Sequence, residues 1–253
     1  APTAMWLTIP CYNEAERLDA AEVDRLLEDP RVDVLFVDDG STDGTRRVLE
    51  ALVSRHRGRA RVLALEVNGG KGEAVRRGML EALALGSPIV GYLDADFATP
   101  PSELVGLLEA LERSRAKVVL GARIARLGAA VERNPVRHYL GRVFATAAST
   151  VLDLAVYDTQ CGAKLFRDTP QLRRALSEPF RSRWAFDVEL IGRLTAGNPP
   201  LEENDFLEIP LGQWRDKRGS KLAGPAMLKA GTDVLKLGAA VASRGKRAFF
   251  RSG

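Results

Sequence analysis

The sequence has little histidine and little cysteine, and this shortage argues against several kinds of site. Only His56 and His138 occur among the 253 residues, so a zinc site built on imidazole ligands is nearly excluded. Cys11 and Cys161 form no Cys-x-x-Cys pair. A chain of this length can bury a sufficient core without disulfides, so we expect both thiols to be reduced, in a reducing compartment.

Long apolar runs and a strong net charge are also missing. No stretch of about 18 apolar residues could span a bilayer, and no segment has the pattern of a signal peptide. The net charge of +4, with 45% hydrophobic and 28% charged residues, is typical of a globular protein and gives no indication of nucleic-acid binding. We therefore expect a cytoplasmic protein.

The last ten residues are the exception, because four of them are basic and lie beside Phe249 and Phe250. Basic residues next to aromatic ones can hold an anionic membrane surface, which predicts a peripheral position on the cytoplasmic membrane face. A solvated, frayed tail would have the same composition. A final amphipathic helix from about residue 226 is expected to pack on the core or to face the membrane.

The first 120 residues alternate strand and helix patterns. Short apolar runs predict strands at 5–9, 32–37, 62–65, 89–93 and 118–120. Helical periodicity lies between them, at 15–27, 45–54, 72–84 and 102–113. This alternation predicts an α/β fold of the Rossmann-like kind, with a mostly parallel central sheet and helices on both faces.

The pattern changes after residue 121. We expect an arginine-rich loop at 123–142, a short strand pair at 159–166 and a polar loop at 211–224. Apolar periodicity predicts helices at 143–154 and 184–194, and Pro210 ends a predicted strand at 206–209. No repeat or low-complexity linker interrupts the chain, so 1–253 is treated as one domain.

Asp94 and Asp96 are the strongest chemical signal in the chain. They directly follow the apolar run at 89–93, so both carboxylates lie at the carboxyl end of a predicted strand. Two such oxygens can reach one Mg²⁺ or Mn²⁺ ion, and these ions share their coordination with substrate phosphates. α/β sheets bind ligands at this edge. The alternative is an aspartate that only caps the next turn.

The loop after the first strand contains Pro10, Tyr12, Asn13 and Glu14. Tyr12 could stack on a nucleobase, while Asn13 and Glu14 could bond a ribose or the edge of a base. By itself this pattern is also that of a turn with a helix cap.

The loop after the second strand begins with Asp38 and Asp39, which could accept hydrogen bonds from a base N–H or a ribose hydroxyl. Asp43 and Thr45 are expected to cap the following helix. Residues 39–50 also match an EF-hand calcium loop at several positions, but such a loop needs a helix before it, where a strand is predicted here.

A third, glycine-rich loop at 68–73 contains Lys71. Its backbone N–H groups and this lysine could approach a phosphate at a helix start, although a plain glycine turn has the same appearance. It is not a P-loop, because Gly72 follows the lysine where serine or threonine is required.

In the second half of the chain, Arg123 follows a strand end and suits a phosphate. Asp187 is a candidate base or an acceptor-positioning carboxylate, unless it is merely a solvated acid at a helix start.

Together these motifs resemble the family 2 glycosyltransferases of GT-A fold, over about residues 4–222. Pro10 to Glu14, residues 37–45 and Asp94 to Asp96 match the family's nucleotide-sugar elements. Within the family the chain is most similar to dolichyl- and polyprenyl-phosphate sugar synthases. Residues 158–166, 183–190 and 219–221 are most similar to the dolichyl-phosphate β-glucosyltransferase branch.

The resemblance implies a UDP-sugar donor, with Asp38 and Asp39 on the uridine and Mg²⁺ or Mn²⁺ on Asp94 and Asp96. It also implies that Arg123 and Lys221 touch phosphate groups of the donor or of a polyprenyl-phosphate acceptor. The expected reaction is inverting transfer of a hexose, with glucose as the first expectation. Residues 1–121 would form the donor half, 122–224 the acceptor half, and 225–253 the terminal helix and basic tail.

The sequence is compatible with several alternatives. The segment 98–101 mixes features of the glucosyl and mannosyl branches, so the donor could be GDP-mannose, UDP-GalNAc or UDP-galactose, and the acceptor could be soluble. A sugar nucleotidyltransferase would release pyrophosphate, and a non-catalytic module would bind UDP without turnover. A haloacid-dehalogenase-type phosphatase also uses Asp-x-Asp, but on its first strand.

Overall fold

The computed structural model describes residues 5–124, 130–132, 149–183, 185–215 and 250. The strands are β1 Met5–Cys11, β2 Val32–Asp39, β3 Ala60–Leu65, β4 Ile89–Leu93, β5 Val118–Ala122, β6 Ala130–Glu132, β7 Ala163–Arg167, β8 Phe206–Pro210 and β9 Gln213–Arg215. The helices are α1 Ala20–Leu26, α2 Thr45–Arg55, α3 Lys71–Ala84, α4 Pro101–Arg113, α5 Pro170–Ser177 and α6 Phe186–Ala196.

A seven-stranded sheet in the order β3-β2-β1-β4-β7-β5-β8 forms the centre of the described structure. Strand β7 runs antiparallel to both of its neighbours, β4 and β5. The other pairs in this sheet are parallel. The prediction of a mostly parallel sheet is therefore confirmed.

The helices cover both faces of this sheet because successive strand residues point to opposite sides. Leu7 and Phe36 pack with α1, α2 and α4 in one apolar cluster. Their neighbours Trp6 and Leu35 pack with α3, α5 and α6 in the other. The strands are accordingly buried on both faces, as sheets covered by helices on both sides are.

The carboxyl ends of β1, β2 and β4 lie side by side at one edge of the sheet, which brings their loops together. Cys11 at the end of β1 pairs with Asp38 near the end of β2. Helix α3 approaches the sheet closely here, because a Cβ on Gly78 would overlap with the side chain of Thr8 on β1. This close approach fixes the start of α3 beside the same edge.

Four predicted elements differ from the structure, and one of them is the loop predicted at 123–142, which contains β6. The first helix begins at Ala20 instead of 15, because the Asp19 carboxylate accepts a hydrogen bond from the N–H of Ala21 at 2.9 Å and caps it there. The strand pair predicted at 159–166 is the single strand β7, inserted between β4 and β5. The predicted loop at 211–224 contains β9, which pairs with β6.

Other predictions fall on parts of the chain outside the described residues. These include most of the arginine-rich loop, residues 143–148 of the predicted helix at 143–154, Trp184, Lys221, the terminal amphipathic helix and the basic tail apart from Phe250. Among the described helices, none combines the length and apolarity that crossing a bilayer would require.

Candidate active site

A cavity of about 390 Å³ opens at the carboxyl edge of the sheet, between the loops after β1, β2, β3 and β4. The predicted site residues that line it are Pro10, Tyr12, Glu14, Asp39, Lys71, Asp94 and Asp96. The structure therefore brings together side chains that are far apart in the sequence, from Pro10 to Asp96.

Asp94 and Asp96 lie at the end of β4, as predicted. Asp94 Oδ1 is 2.6 Å from Nζ of Lys71, at the first residue of α3. Asp96 Oδ1 accepts a hydrogen bond from the N–H of Ala98 at 3.0 Å. Burial and the neighbouring charge of Asp94 raise the pKa of Asp96. Burial by itself would lower the pKa of Lys71, but the nearby carboxylates, of which Asp94 has the largest effect, outweigh burial and raise this pKa.

Gly162 packs directly against Asp94. The N–H of Asp94 donates to the Gly162 carbonyl at 3.0 Å. A Cβ on Gly162 would overlap with the Asp94 carboxylate, so only glycine leaves room for this rotamer. This support comes from the segment that leads into β7, which the sequence did not predict to touch the aspartate pair.

The aspartate pair suits a divalent cation that takes its remaining ligands from elsewhere. Within the described residues, no group of three or more His, Cys, Asp or Glu side chains could hold a metal ion. Two crowded carboxylates, one with a raised pKa, favour an added positive charge. Mg²⁺ commonly binds one or two carboxylates and completes its shell with water and phosphate oxygens.

The two aspartates at the end of β2 have different surroundings. The Asp39 carboxylate accepts hydrogen bonds from the N–H groups of Gly69 and Gly70, at 2.8 and 2.9 Å, and lines the cavity. Burial raises the pKa of Asp39, although these two N–H donors oppose the shift. Asp38 is 3% exposed, accepts from the N–H of Ser41 at 3.0 Å and is not among the cavity-lining residues.

Of the predicted residues in the loop after β1, Tyr12 and Glu14 line the cavity, whereas Asn13 connects this loop to the loop after β2. Tyr12 is 37% exposed and lines the cavity, and Glu14 lies 3.5 Å from the guanidinium of Arg17. Asn13 does not line the cavity but ties the loop to its neighbour, because its Oδ1 accepts from the N–H of Thr42 at 2.9 Å. Its φ of 52° is a conformation that asparagine tolerates better than most residues.

The capping predicted for the loop after β2 is present only in part, because the N-cap position is Gly44, which has no side-chain cap, and Thr45 is the first residue of α2. The Asp43 carboxylate accepts from the N–H of Thr45 at 2.9 Å, at the start of α2. Strand β2 precedes this loop, so the helix that an EF-hand requires is replaced by a strand.

Asp187 is buried and is not among the residues that line the cavity. It is 5% exposed and forms an ion pair of 2.8 Å with Nζ of Lys164, which is fully buried. It also accepts a hydrogen bond from the hydroxyl of Tyr92. Burial and the Asp187 charge raise the pKa of Tyr92 well above its usual value. Oδ1 of Asp187 therefore accepts from both Tyr92 and Lys164, and the three side chains form one buried cluster on β4, β7 and α6.

Arg123 directly follows β5 and is held in place by the carboxylate of Asp158. Its Nε and Nη2 donate to Asp158 at 2.7 and 2.8 Å, and its backbone N–H donates to the same group at 3.0 Å. The guanidinium also lies 5.4 Å from the ring centroid of Trp214. Its predicted phosphate contact stays a prediction, and Lys221 lies outside the described residues.

Sequence reasoning did not select two cations on the cavity wall, Arg17 and Arg183. Arg183 opens the 183–190 motif, which was the available signal, but nothing in that motif indicates that its first residue reaches the loop after β3. Lys164 was also missed, since its pairing with Asp187 depends on the position of β7.

Comparison with known proteins adds a family and a fold to this geometry. Residues 6–171 match the family model described as Glycosyl transferase family 2. The chain is 33% identical over 234 residues to dolichyl-phosphate beta-glucosyltransferase of Drosophila melanogaster, covering 85% of this chain and 68% of that one. It is 31% identical over 254 residues to the human protein of the same name, covering 90% and 73%.

Two mycobacterial proteins are also similar. Polyprenol monophosphomannose synthase of Mycolicibacterium smegmatis is 29% identical over 243 residues, covering 94% of this chain and 88% of that one. The crystal structure of glucosyl-3-phosphoglycerate synthase from Mycobacterium tuberculosis with Mn²⁺ and UDP-glucose has a TM-score of 0.67 at 20% identity, covering 94% and 80%. That likeness confirms the predicted fold.

Proposed function

Since this chain belongs to glycosyl transferase family 2, we propose that it transfers a hexose, expected to be glucose, from a UDP-sugar to a polyprenyl phosphate with a divalent cation. Relatives named for transfer to dolichyl phosphate, at 31% and 33% identity, support the lipid-phosphate acceptor and the glucosyl donor. The solved structure with Mn²⁺ and UDP-glucose supports the cation and the nucleotide.

One observation carries the proposal. Asp94 and Asp96 line the same cavity as Tyr12 and Asp39, with Lys71 beside them. Aromatic and carboxylate groups suit a nucleoside, while the aspartate pair and the lysine suit a diphosphate. The cavity wall therefore offers groups for both the nucleoside and the diphosphate of a nucleotide sugar.

In the proposed reaction, an oxygen of the acceptor phosphate forms a bond to the anomeric carbon as the bond to the UDP oxygen breaks. Asp94 and Asp96 would hold the divalent cation, which supplies positive charge to the departing diphosphate. Lys71 would add a second positive charge at the start of α3, where the helix dipole also favours an anion.

A phosphate acceptor makes a strong general base less necessary, because its second pKa is about 6 and it is largely ionised near neutral pH. The position of Asp187 is compatible with this, since its carboxylate is already paired with Lys164. We infer that Asp187 fixes the floor of the site and that attack by the phosphate oxygen inverts the anomeric configuration.

A peripheral position on the cytoplasmic membrane face belongs to the same proposal. It is supported by the sequence of the last ten residues, which combines four basic side chains with two phenylalanines. Sedimentation with anionic and with zwitterionic vesicles tests it. We expect binding to anionic vesicles that salt weakens, and equal partition with both kinds would contradict the electrostatic part.

The test of the function is a panel of donors and acceptors. The protein is incubated with UDP-glucose, UDP-galactose, UDP-GalNAc or GDP-mannose, each with polyprenyl phosphate or 3-phosphoglycerate, with Mn²⁺ or Mg²⁺. We expect hexosyl polyprenyl phosphate by mass, from UDP-glucose before the others. Transfer only to 3-phosphoglycerate would overturn the lipid acceptor, and release of pyrophosphate from UTP plus a sugar phosphate would favour a nucleotidyltransferase.

A further inference from the structure

Arg183 differs from the other cations on the cavity wall in the charge of its partners. Lys71 is paired with Asp94 at 2.6 Å, and Arg17 lies 3.5 Å from Glu14. The hydrogen bonds of Arg183 go to the backbone carbonyls of Gly69 and Asn68, at 3.1 and 2.8 Å, and to the Asn68 amide oxygen at 3.3 Å. Within the described residues its hydrogen-bond partners are all neutral, and the Asp39 carboxylate, whose charge acts on it, forms no direct ion pair with it.

These bonds also leave one side of the guanidinium for another partner. They use Nε and Nη2, while Nη1 takes part in none of them. The side chain lines the same cavity as Asp94 and Asp96. A planar guanidinium fixed along one edge and open along another is suited to a phosphate oxygen.

The segment that carries Arg183 is rigidly built. Glu189 is 1% exposed, and its Oε2 accepts from the N–H groups of Arg181 and Ser182 at 2.8 and 3.3 Å. Its Oε1 is 2.8 Å from Arg193, which donates to three backbone carbonyls between residues 175 and 179. A buried ion pair whose remaining atoms are satisfied by the backbone fixes a loop in one conformation.

The loop opposite Arg183 is held from both sides. Asp39 binds the N–H groups of Gly69 and Gly70, and Arg183 binds the carbonyls of Asn68 and Gly69. Gly70 has a φ of 88°, and a Cβ there would lie 2.9 Å from Nε of Arg183. The guanidinium therefore fits against this loop with little space to spare, immediately before Lys71.

From these contacts we propose that Arg183 binds a phosphate group of a substrate in the cavity, either on the nucleotide donor or on the acceptor. The proposal rests on the proposed function. It goes beyond it by assigning a recognition residue from the second half of the chain to the phosphate-binding part of the site.

The test compares Arg183→Gln, Arg183→Lys and the control Arg174→Gln, which removes one exposed positive charge on α5. Dissociation constants are measured by calorimetry for UDP, UMP and uridine, and KM is measured for a short-chain polyprenyl phosphate. We expect Arg183→Gln to weaken UDP binding about tenfold with little change for uridine, or to raise the acceptor KM about tenfold. Arg183→Lys should recover part of the loss, and Arg174→Gln should behave as wild type.

Two results would overturn the proposal. One is that neither UDP affinity nor acceptor KM changes beyond the Arg174→Gln control. The other is an equal loss for uridine and UDP, which would mean that Arg183 acts only by holding the 68–70 loop. Wild-type protein that binds GDP and not UDP would contradict the proposed donor, and the Arg183 comparison would then be made with GDP, GMP and guanosine.

Discussion

Replacing Asp187 with asparagine separates a structural role from a catalytic one at the candidate base. Asp187 and Lys164 are 5% and 0% exposed, and their charged atoms are 2.8 Å apart. Asparagine keeps the shape and one acceptor oxygen for the Tyr92 hydroxyl. It leaves the Lys164 ammonium buried, with the Cys161 carbonyl at 2.5 Å as a neutral partner.

The expected cost follows from the burial of this pair. Removing one partner of a buried ion pair typically costs about 3–5 kcal/mol, because the remaining charge is left uncompensated. We expect the lower end, about 3 kcal/mol, since the asparagine oxygen can still accept from Lys164. For a protein of this size each kcal/mol lowers the Tm by about 2–4 °C, so the predicted decrease is roughly 6–12 °C.

Thermal unfolding by circular dichroism measures this decrease. Asp168→Asn is the matched control, because Asp168 forms an ion pair of 2.7 Å with Arg173 whose side chains are 29% and 50% exposed. Exposed pairs contribute about 0–1 kcal/mol, so its Tm should fall little. Lys164→Met combined with Asp187→Asn should be more stable than the sum of the single changes predicts. A Tm of Asp187→Asn equal to that of the control, with a large loss of kcat, would refute the structural role.

Three further predictions concern the aspartate pair. Gly162→Ala should displace the Asp94 carboxylate and weaken Mn²⁺ binding in the presence of UDP by at least about tenfold, as measured by electron paramagnetic resonance. The control Gly106→Ala adds a Cβ that meets nothing within 4 Å, so this variant should bind Mn²⁺ as the wild type does. Equal Mn²⁺ affinities of the two variants would contradict the packing argument. Asp94→Asn should abolish EDTA-sensitive transfer, and wild-type activity in the presence of EDTA would remove the metal assignment. Burial and the Asp94 charge raise the pKa of Asp96 above 3.8, so the protonated form favours folding, and this stability is lost as the pH rises through the raised value. Asp96→Asn should therefore raise the Tm in EDTA at pH 7 and leave it unchanged below about pH 3.8, while a lower Tm at pH 7 would contradict this sign.

Features carried by local sequence were predictable. The run that forms β4 and the aspartates that follow it are adjacent in the chain, so a strand pattern and a spacing of two residues were sufficient. Parallel strands share one edge for their carboxyl ends, which explains why the loops after β1, β2 and β4 could be expected to meet.

Features that depend on contacts between distant segments were not predictable. The hydrogen bond from the N–H of Gly69 to Asp39 joins residues 30 positions apart, and the one from Arg183 to the Gly69 carbonyl joins residues 114 positions apart. The buried pair of Asp187 and Lys164 depends on the antiparallel insertion of β7 between β4 and β5. Alternating hydrophobicity indicates a strand but not its neighbours or its direction, so Asp187 could be expected as a base but not as the partner of a buried lysine.

The most direct test of the proposed transfer follows the sugar itself. Wild-type protein is incubated with UDP-glucose labelled with ¹³C in the hexose, Mn²⁺ and polyprenyl phosphate, and the lipid fraction is analysed by mass spectrometry. We predict a polyprenyl phosphate that carries one labelled hexose and that disappears when EDTA is added. Labelled glucose released into water, or UDP-glucose recovered intact while another nucleotide sugar is consumed, would contradict the account.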